Sequence, residues 1–125
     1  MLANPSPLVE KVIGCAIEVH RTIGPGLLES AYDACLTHEF QLNGIAFQRD
    51  VAIPVLYKGM SLSCAYRADF VVENALLIEL KSVERLQPIH QAQVLTYLRL
   101  LNLRQGLLMN FNVHKLVDGL RNLLR

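Results

Sequence analysis

One short segment, residues 76–82, constrains the fold more than any other part of the chain. It reads Leu-Leu-Ile-Glu-Leu-Lys-Ser, an apolar run that only Glu79 and Lys81 interrupt before its last residue. A short apolar run that follows a polar turn is typical of a β-strand. Because side chains alternate between the two faces of a strand, Glu79 and Lys81 lie on one face, and Ile78 and Leu80 lie on the other. The segment therefore predicts a strand with its charged chemistry on a single face.

The remaining segments predict an α/β fold around this strand. Two amphipathic helices come first, one after Asn4-Pro5-Ser6-Pro7 and one between Gly24-Pro25-Gly26 and Gly44. The elements expected after them are strands at 47–55, 61–72 and 76–82, a helix from Pro88, a strand at 106–111 and a closing amphipathic helix at 113–125. This order predicts a mixed four-stranded sheet, an antiparallel three-strand meander plus a crossover strand, flanked by helices.

Length and composition set the class of protein. The chain has 125 residues, which predicts a single domain over residues 1–125. No apolar run has the length of a membrane span and the N-terminus lacks a signal-peptide pattern, so a cytoplasmic protein with no membrane partner is expected. The widely spaced Cys15, Cys35 and Cys64 predict buried free thiols rather than disulfides or a zinc site. The net charge of +1 neither supports nor excludes a nucleic-acid partner.

A hairpin register brings two carboxylates together. If residues 73–75 form a three-residue loop, Asp69 lies directly opposite Glu79, and Arg67 lies opposite Lys81. Like charges at opposed positions of a sheet destabilise it by about 0.2–1 kcal/mol. A divalent cation removes this penalty, because Mg²⁺ and Mn²⁺ favour carboxylate and water oxygens. The pair therefore indicates a metal site, with Lys81 placed to stabilise charge on a phosphoryl oxygen or an attacking water.

A purely structural interpretation of the same residues stays open at this point. Asp69 and Glu79 can be solvated outer-face residues, with Lys81 forming an ion pair with one of them. A register shifted by one residue would place the two carboxylates on opposite faces.

Other polar residues give weaker signals. The four histidines show no ligand spacing, which favours surface or capping roles. Some arginines could contact phosphate if they lie near the site, although solvated positions are the default expectation. They are Arg21, Arg49, Arg67 and Arg85.

Three motifs together resemble a known superfamily. Asp69 on one strand, Glu79-Leu80-Lys81 on the next and Gln93-Val94-Leu95-Thr96-Tyr97 on the following helix resemble the PD-(D/E)XK nucleases. Residues 26–32, Gly-Leu-Leu-Glu-Ser-Ala-Tyr, are similar to the signature of the bacterial GxxExxY family, which is assigned to that superfamily. The resemblance covers roughly residues 8–124 and agrees with a restriction-endonuclease-like core.

The resemblance implies a role for each matching residue. It implies that Asp69 and Glu79 bind Mg²⁺ or Mn²⁺, with Glu29 contributing from its helix. Lys81 would act on the nucleophilic water or the transition state, and Gln93 and Tyr97 would line the same pocket.

Two functions of different classes follow, with a third kept open. The first is a divalent-metal-dependent phosphodiester hydrolase, a DNA nuclease, and the second is a non-catalytic nucleic-acid-binding or regulatory module that retains the fold. A small phosphoester substrate is the third. Retention of Asp69, Glu79, Lys81 and Gln93 favours the enzyme. A homodimer is a reasonable expectation for a small apolar chain.

Overall fold

The computed structural model describes residues 5–62 and 66–125. Its elements, in chain order, are α1 (Pro7–Ile23), α2 (Glu29–Leu42), β1 (Phe47–Ala52), β2 (Leu56–Tyr57), β3 (Met60–Ser61), β4 (Arg67–Val72), β5 (Leu76–Lys81), α3 (Pro88–Leu101), β6 (Gln105–Asn110), a 3-10 helix (Leu116–Gly119) and β7 (Leu120–Leu124). The main sheet has the strand order β1-β4-β5-β6-β7, and β2 and β3 form a separate hairpin. No helix of the described residues is long and apolar enough to cross a membrane.

The N-terminal helices begin and end where the sequence predicts. The Ser6 hydroxyl caps α1 by accepting a hydrogen bond from the Val9 amide at 3.2 Å, and Pro7 occupies the first turn. Gly24, with a φ of 72°, ends the helix in a conformation that L side chains rarely adopt. The interrupting glycine segment thus places the start of α2 at Glu29.

The sheet is covered on both faces. Leu76, Ile78 and Leu80 of β5 pack in one cluster with α1 and α2, whereas Leu77 packs in a second cluster with α3. Strand β5 pairs in parallel with β6 through the α3 crossover, and the other pairs of the main sheet are antiparallel. The predicted α/β class, meander and crossover are therefore confirmed.

The predicted hairpin register is also confirmed where the backbone ladder exists. Phe70 pairs with Ile78, and Val72 pairs with Leu76, as a three-residue loop requires. Glu73 and Asn74 take φ values of 50° and 55° in this loop, the left-handed region that such tight turns use. The β4–β5 ladder ends at the Phe70–Ile78 pair, so it does not include the predicted pairing of Arg67 with Lys81; on the other edge of β4, Arg67 pairs with Ala52 of β1.

The closing helix predicted at 113–125 is wrong. That segment forms the 3-10 helix and then β7, which pairs antiparallel with β6 and makes the main sheet five-stranded instead of four-stranded. Its apolar spacing fits a helix, but without β7 that edge of β6 would have no strand partner. Gly119 permits the closing turn, since a Cβ there would lie 2.2 Å from the Asn110 carbonyl oxygen.

The middle of the chain also differs from the prediction. The strand expected at 47–55 ends at Ala52, before Pro54, and the strand expected at 61–72 begins as β4 at Arg67. Residues 63–65, including Cys64, lie outside the described residues. Cys15 is a buried free thiol as predicted, and Cys35 is free but only partly buried.

Candidate active site

The centre of the site is a pair of carboxylates, Asp69 and Glu79, that accept hydrogen bonds from backbone amides, as carbonyl oxygens do in a regular ladder. The Asp69 amide donates a hydrogen bond to Glu79 Oε1 at 2.8 Å, and the Leu80 amide donates to Asp69 Oδ2 at 2.7 Å. The β4–β5 ladder has already ended one residue earlier, at Phe70 and Ile78. The two side chains thus join the strands at the point where they separate, and the predicted convergence of Asp69 and Glu79 is observed.

Strand β1, which pairs with the other edge of β4, is irregular at the position opposite Asp69. Across β1 and β4, Arg49 pairs with Phe70 and Val51 with Ala68, but no ladder pair joins Asp50 to Asp69. Asp50 has a φ of 58°, which is uncommon for a residue other than glycine. Phe70 packs on the α1–α2 side, whereas Ala68 packs on the α3 side, so β4 changes face at Asp69.

Burial makes both carboxyl groups hard to ionise. Glu79 is 5% exposed, and its pKa is raised to about 8, mainly by burial and then by the negative charge of Asp69. The pKa of Asp69 is raised to about 6, mainly by burial, while the hydrogen bond from the Leu80 amide opposes the shift. The positive charge of Lys81 lowers the pKa of both groups, which places Lys81 within electrostatic range of the pair.

Glu29 reaches the same region from α2. It is the first residue of the helix, its Oε1 accepts a hydrogen bond from the Ser82 amide at 3.3 Å, and its charge raises the pKa of both Asp69 and Glu79. A cavity of about 500 Å³ opens beside Glu29 and Asp69, and Glu79 does not line it. Its lining residues are Glu29, Ser30, Asp33, Arg49, Asp50, Asp69 and Leu80.

Tyr32, the last residue of the Gly26–Tyr32 motif, is buried and has a supporting role. Its hydroxyl donates to the Gly24 carbonyl at 2.6 Å and accepts from the Leu27 amide at 3.2 Å, while its ring stacks on Phe111 at 4.5 Å. These contacts fix the loop that leads into Glu29.

Of the two residues in the motif on α3, Tyr97 is placed near the carboxylates more clearly than Gln93. Tyr97 is buried, and its pKa is raised mainly by burial and then by the charge of Glu79, so the phenol lies near the carboxylates. Gln93 is half-buried one helical turn earlier, on the same side of α3. Hydrogen bonds join Asp69 to Glu79, and charge effects on the pKa values link Glu29, Lys81 and Tyr97 to this pair, whereas no contact within the described residues joins Gln93 to it.

The donor set fits a hard divalent cation that uses few protein ligands. Within residues 5–62 and 66–125, no group of three or more His, Cys, Asp or Glu side chains is arranged to hold a metal ion. Mg²⁺, however, typically uses only one or two protein carboxylates and takes its other ligands from water and substrate phosphates. Asp69 Oδ1 and Glu79 Oε2 accept no hydrogen bond among the described residues and are the oxygens left for such an ion.

A family model decides the classification. The model for the PD-(D/E)XK nuclease superfamily matches residues 6–123, nearly the whole chain. The chain belongs to the PD-(D/E)XK nuclease superfamily. Neither a search of curated proteins nor a search of solved structures gives a match. The mixed sheet flanked by helices is consistent with the restriction-endonuclease-like fold of this superfamily.

Membership in the PD-(D/E)XK superfamily supports a nuclease-like function, a nucleic-acid substrate and the use of a divalent metal, as its nucleases generally show. The three resembling motifs thus predicted the correct superfamily.

Sequence reasoning missed Asp33 and the ion pair that it forms with Arg49. Arg49 was named as a phosphate contact only if it lay near the site, and it is exposed and lines the cavity, as does Asp33, which was not considered. Asp33 lies one helical turn after Glu29, so the shared helix face was a usable signal for it. The pairing of Arg49 with Asp33 depends on how β1 packs against α2, which no local pattern records.

Proposed function

We propose that the chain is a divalent-metal-dependent phosphodiester hydrolase that cleaves DNA. The observation that carries this proposal is the pair of half-buried Asp69 and buried Glu79, in which each carboxylate receives one backbone hydrogen bond and keeps one oxygen free of described partners. We further propose that the chain is of the GxxExxY type, that it acts in the cytoplasm, and that it forms a homodimer.

The energetics of the pair support cation binding. Half-buried Asp69 and buried Glu79, whose pKa values are raised to about 6 and about 8, are costly to ionise together without a counter-charge. Carboxylate oxygens are the protein ligands that Mg²⁺ and Mn²⁺ prefer. Asp69 and Glu79 would hold the ion, and Glu29, at the N-terminus of α2, would add its negative charge to the site.

The other residues would act on the phosphate. A divalent cation at this position supplies Lewis-acid polarisation of a phosphoryl oxygen. The Lys81 ammonium, within range of both carboxylates, would stabilise negative charge that develops on the phosphoryl group or orient the attacking water. Tyr97 would limit water access to Glu79 from the α3 side, and Gln93 would line the same wall.

A binding or regulatory module is the alternative function. The net charge of +1 lacks the clear basic excess that proteins holding nucleic acid mainly through phosphates usually carry, so charge gives the hydrolase no support and leaves this alternative open. In that case the site would bind without hydrolysis.

The first experiment measures metal binding without any assumption about substrate. Calorimetric titration with Mn²⁺ into the millimolar range should show binding to the wild type, and Asp69→Asn and Glu79→Gln should each abolish it. Both amides keep an oxygen that can accept the backbone hydrogen bond, so matched thermal melts should show folded variants. Equal heats for wild type and variants, with a short DNA duplex present, would remove the basis for the hydrolase.

The second experiment separates hydrolysis from binding. In Mn²⁺, the wild type should cleave a labelled DNA duplex, whereas Lys81→Ala should lose cleavage by a factor of about 10² or more and still bind the duplex. Lys11→Ala, which removes an exposed ammonium from α1, is the matched control and should cleave normally. A wild type that binds DNA but never cleaves it would establish the binding module instead.

A further inference from the structure

The cavity beside the carboxylate pair has a single basic side chain among its lining residues. Four of these residues are acidic, namely Glu29, Asp33, Asp50 and Asp69, and the basic one is Arg49. An approaching phosphate would therefore be repelled from most of this wall and attracted at one place. The position of Arg49 and its free hydrogen-bond donors therefore determine where a phosphate can bind in this cavity.

Two elements fix Arg49 in place. Its backbone pairs with Phe70, the residue after Asp69, so Arg49 is held one ladder step from the carboxylate pair. Its Nε donates to Asp33 Oδ1 at 2.7 Å, and Nη2 forms an ion pair with the same oxygen. Asp33 lies one turn after Glu29 on α2, so the helix that contributes Glu29 also holds the arginine.

The ion pair leaves part of the guanidinium available. Asp33 is mostly buried, with a side chain that is 19% exposed, whereas the Arg49 side chain is 47% exposed. The bond to Asp33 uses the Nε edge, and Nη1 donates no hydrogen bond within the described residues. Arg49 lines the open cavity, and a guanidinium there that keeps free donors is suited to contact with a phosphate group.

We propose that Arg49 binds a phosphate of the nucleic-acid backbone next to the scissile one, and that Asp33 is the positioning residue that orients its guanidinium. This inference rests on the proposed function, because it takes Asp69 and Glu79 as the site where the backbone is cut. It adds a phosphate-binding subsite on the α2 side, opposite α3 and Tyr97.

A structural role for the pair predicts a different result. If the Arg49–Asp33 pair only tied β1 to α2, removal of either partner would have the same effect on every property. If Arg49 contacts phosphate, removal of the arginine and removal of the Asp33 charge must differ in nucleic-acid binding, because only the first deletes the contact.

The test measures DNA binding as a function of salt. In a Lys81→Ala background with Mn²⁺, fluorescence anisotropy of a short labelled DNA duplex should show that Arg49→Ala binds about tenfold more weakly. The slope of log K against log salt should fall by about 0.9, the value for one lost phosphate contact. Arg49→Lys should keep the slope and lose part of the affinity, since it retains the charge without the planar fork.

Two controls make the result specific. Asp33→Asn should keep the slope of the parent, because its amide oxygen still accepts from Arg49 and the arginine charge remains. Arg21→Ala removes the other arginine that forms a described ion pair, with Glu18 on α1, and should leave both affinity and slope unchanged.

Three outcomes would overturn the subsite: an unchanged slope in Arg49→Ala, equal losses in Arg49→Ala and Asp33→Asn, or no DNA binding by the parent. Cleavage by the protein with Lys81 intact is measured in parallel. If the salt slope falls in Arg49→Ala but the protein with Lys81 intact does not cleave, phosphate binding by Arg49 is supported, while the hydrolase and a place beside a scissile phosphate are refuted. Cleavage with an unchanged slope would refute the subsite alone.

Discussion

At the scale of single residues, Asp69 and Glu79 experience two opposed influences. Backbone amides donate to both carboxylates and favour their charged forms, while burial favours the neutral forms. Burial is the larger influence on the pKa of both groups, and the negative charge of Asp69 raises the pKa of Glu79 further. The two groups therefore titrate as a linked pair rather than independently.

This linkage predicts how one carboxyl group responds to loss of the other. In the metal-free protein, Asp69→Asn should lower the pKa of Glu79 from about 8, because the second largest cause of its shift is removed. The pKa should stay above the ordinary value of 4.5, since burial is the first cause. A carbon-13 NMR titration of the Glu79 carboxyl measures both effects.

Asp118→Asn provides the comparison, since it removes an exposed carboxylate from the 3-10 helix. It should leave the titration of Glu79 unchanged. If Asp69→Asn also left it unchanged, electrostatic coupling between the two carboxyl groups would be excluded.

The residues of the site differ in how far the sequence could predict them. Asp69 and Glu79 follow from the period of a strand and the length of one loop, both of which are local. Arg49 and Asp33 meet because α2 packs beside β1, and Asp69 turns to the cavity because β4 changes face at that residue. Such contacts depend on tertiary packing, so periodicity alone could not predict them.

At the scale of elements, Gly119 decides how the chain returns to the sheet. It closes the 3-10 helix directly before β7, and an added Cβ would lie 2.2 Å from the Asn110 carbonyl oxygen and 3.1 Å from a Val113 side-chain carbon. Backbone atoms cannot move aside as a flexible side chain can. The strand order at this edge therefore depends on a residue without a side chain.

Gly119→Ala should lower the free energy of unfolding by about 1–3 kcal/mol, the usual range for overpacking. Gly14→Ala is the matched change, because Gly14 lies inside α1 and a Cβ there meets nothing within 4 Å. That variant should instead gain about 0.5–1 kcal/mol from the higher helix propensity of alanine. Urea unfolding followed by circular dichroism measures both.

If Gly119→Ala were as stable as the wild type, the turn before β7 would relax freely around the added Cβ. The error in predicting a helix at 113–125 has the same origin. Leu116, Leu120 and Leu123 recur at helical spacing, yet the edge of β6 and the close approach at Gly119 favour a strand. The meander and crossover were predictable, because strand alternation and the residues of the 73–75 loop specify them locally.

At the scale of the whole molecule, the Asp69–Glu79 carboxyl pair couples stability to pH. A carboxyl group whose pKa is raised in the folded state holds its proton more tightly there than in the unfolded chain. Its contribution is fully present below the unfolded pKa and is lost as the pH rises through the folded pKa. For Glu79 this window runs from about 4.5 to about 8, and for Asp69 from about 3.8 to about 6.

The metal-free wild type should therefore lose stability relative to Glu79→Gln as the pH rises from about 5 to about 9, because the glutamine cannot ionise. Thermal melts in the presence of a chelator measure this difference. Glu10→Gln, at an exposed position of α1, should instead follow the wild type at every pH.

Addition of millimolar Mn²⁺ at the alkaline end should raise the melting temperature of the wild type and leave that of Glu79→Gln unchanged, since a ligand stabilises only a state that binds it. Parallel pH curves for wild type and Glu79→Gln would show that Glu79 ionises without cost, and the electrostatic argument for a cation at this pair would then be lost.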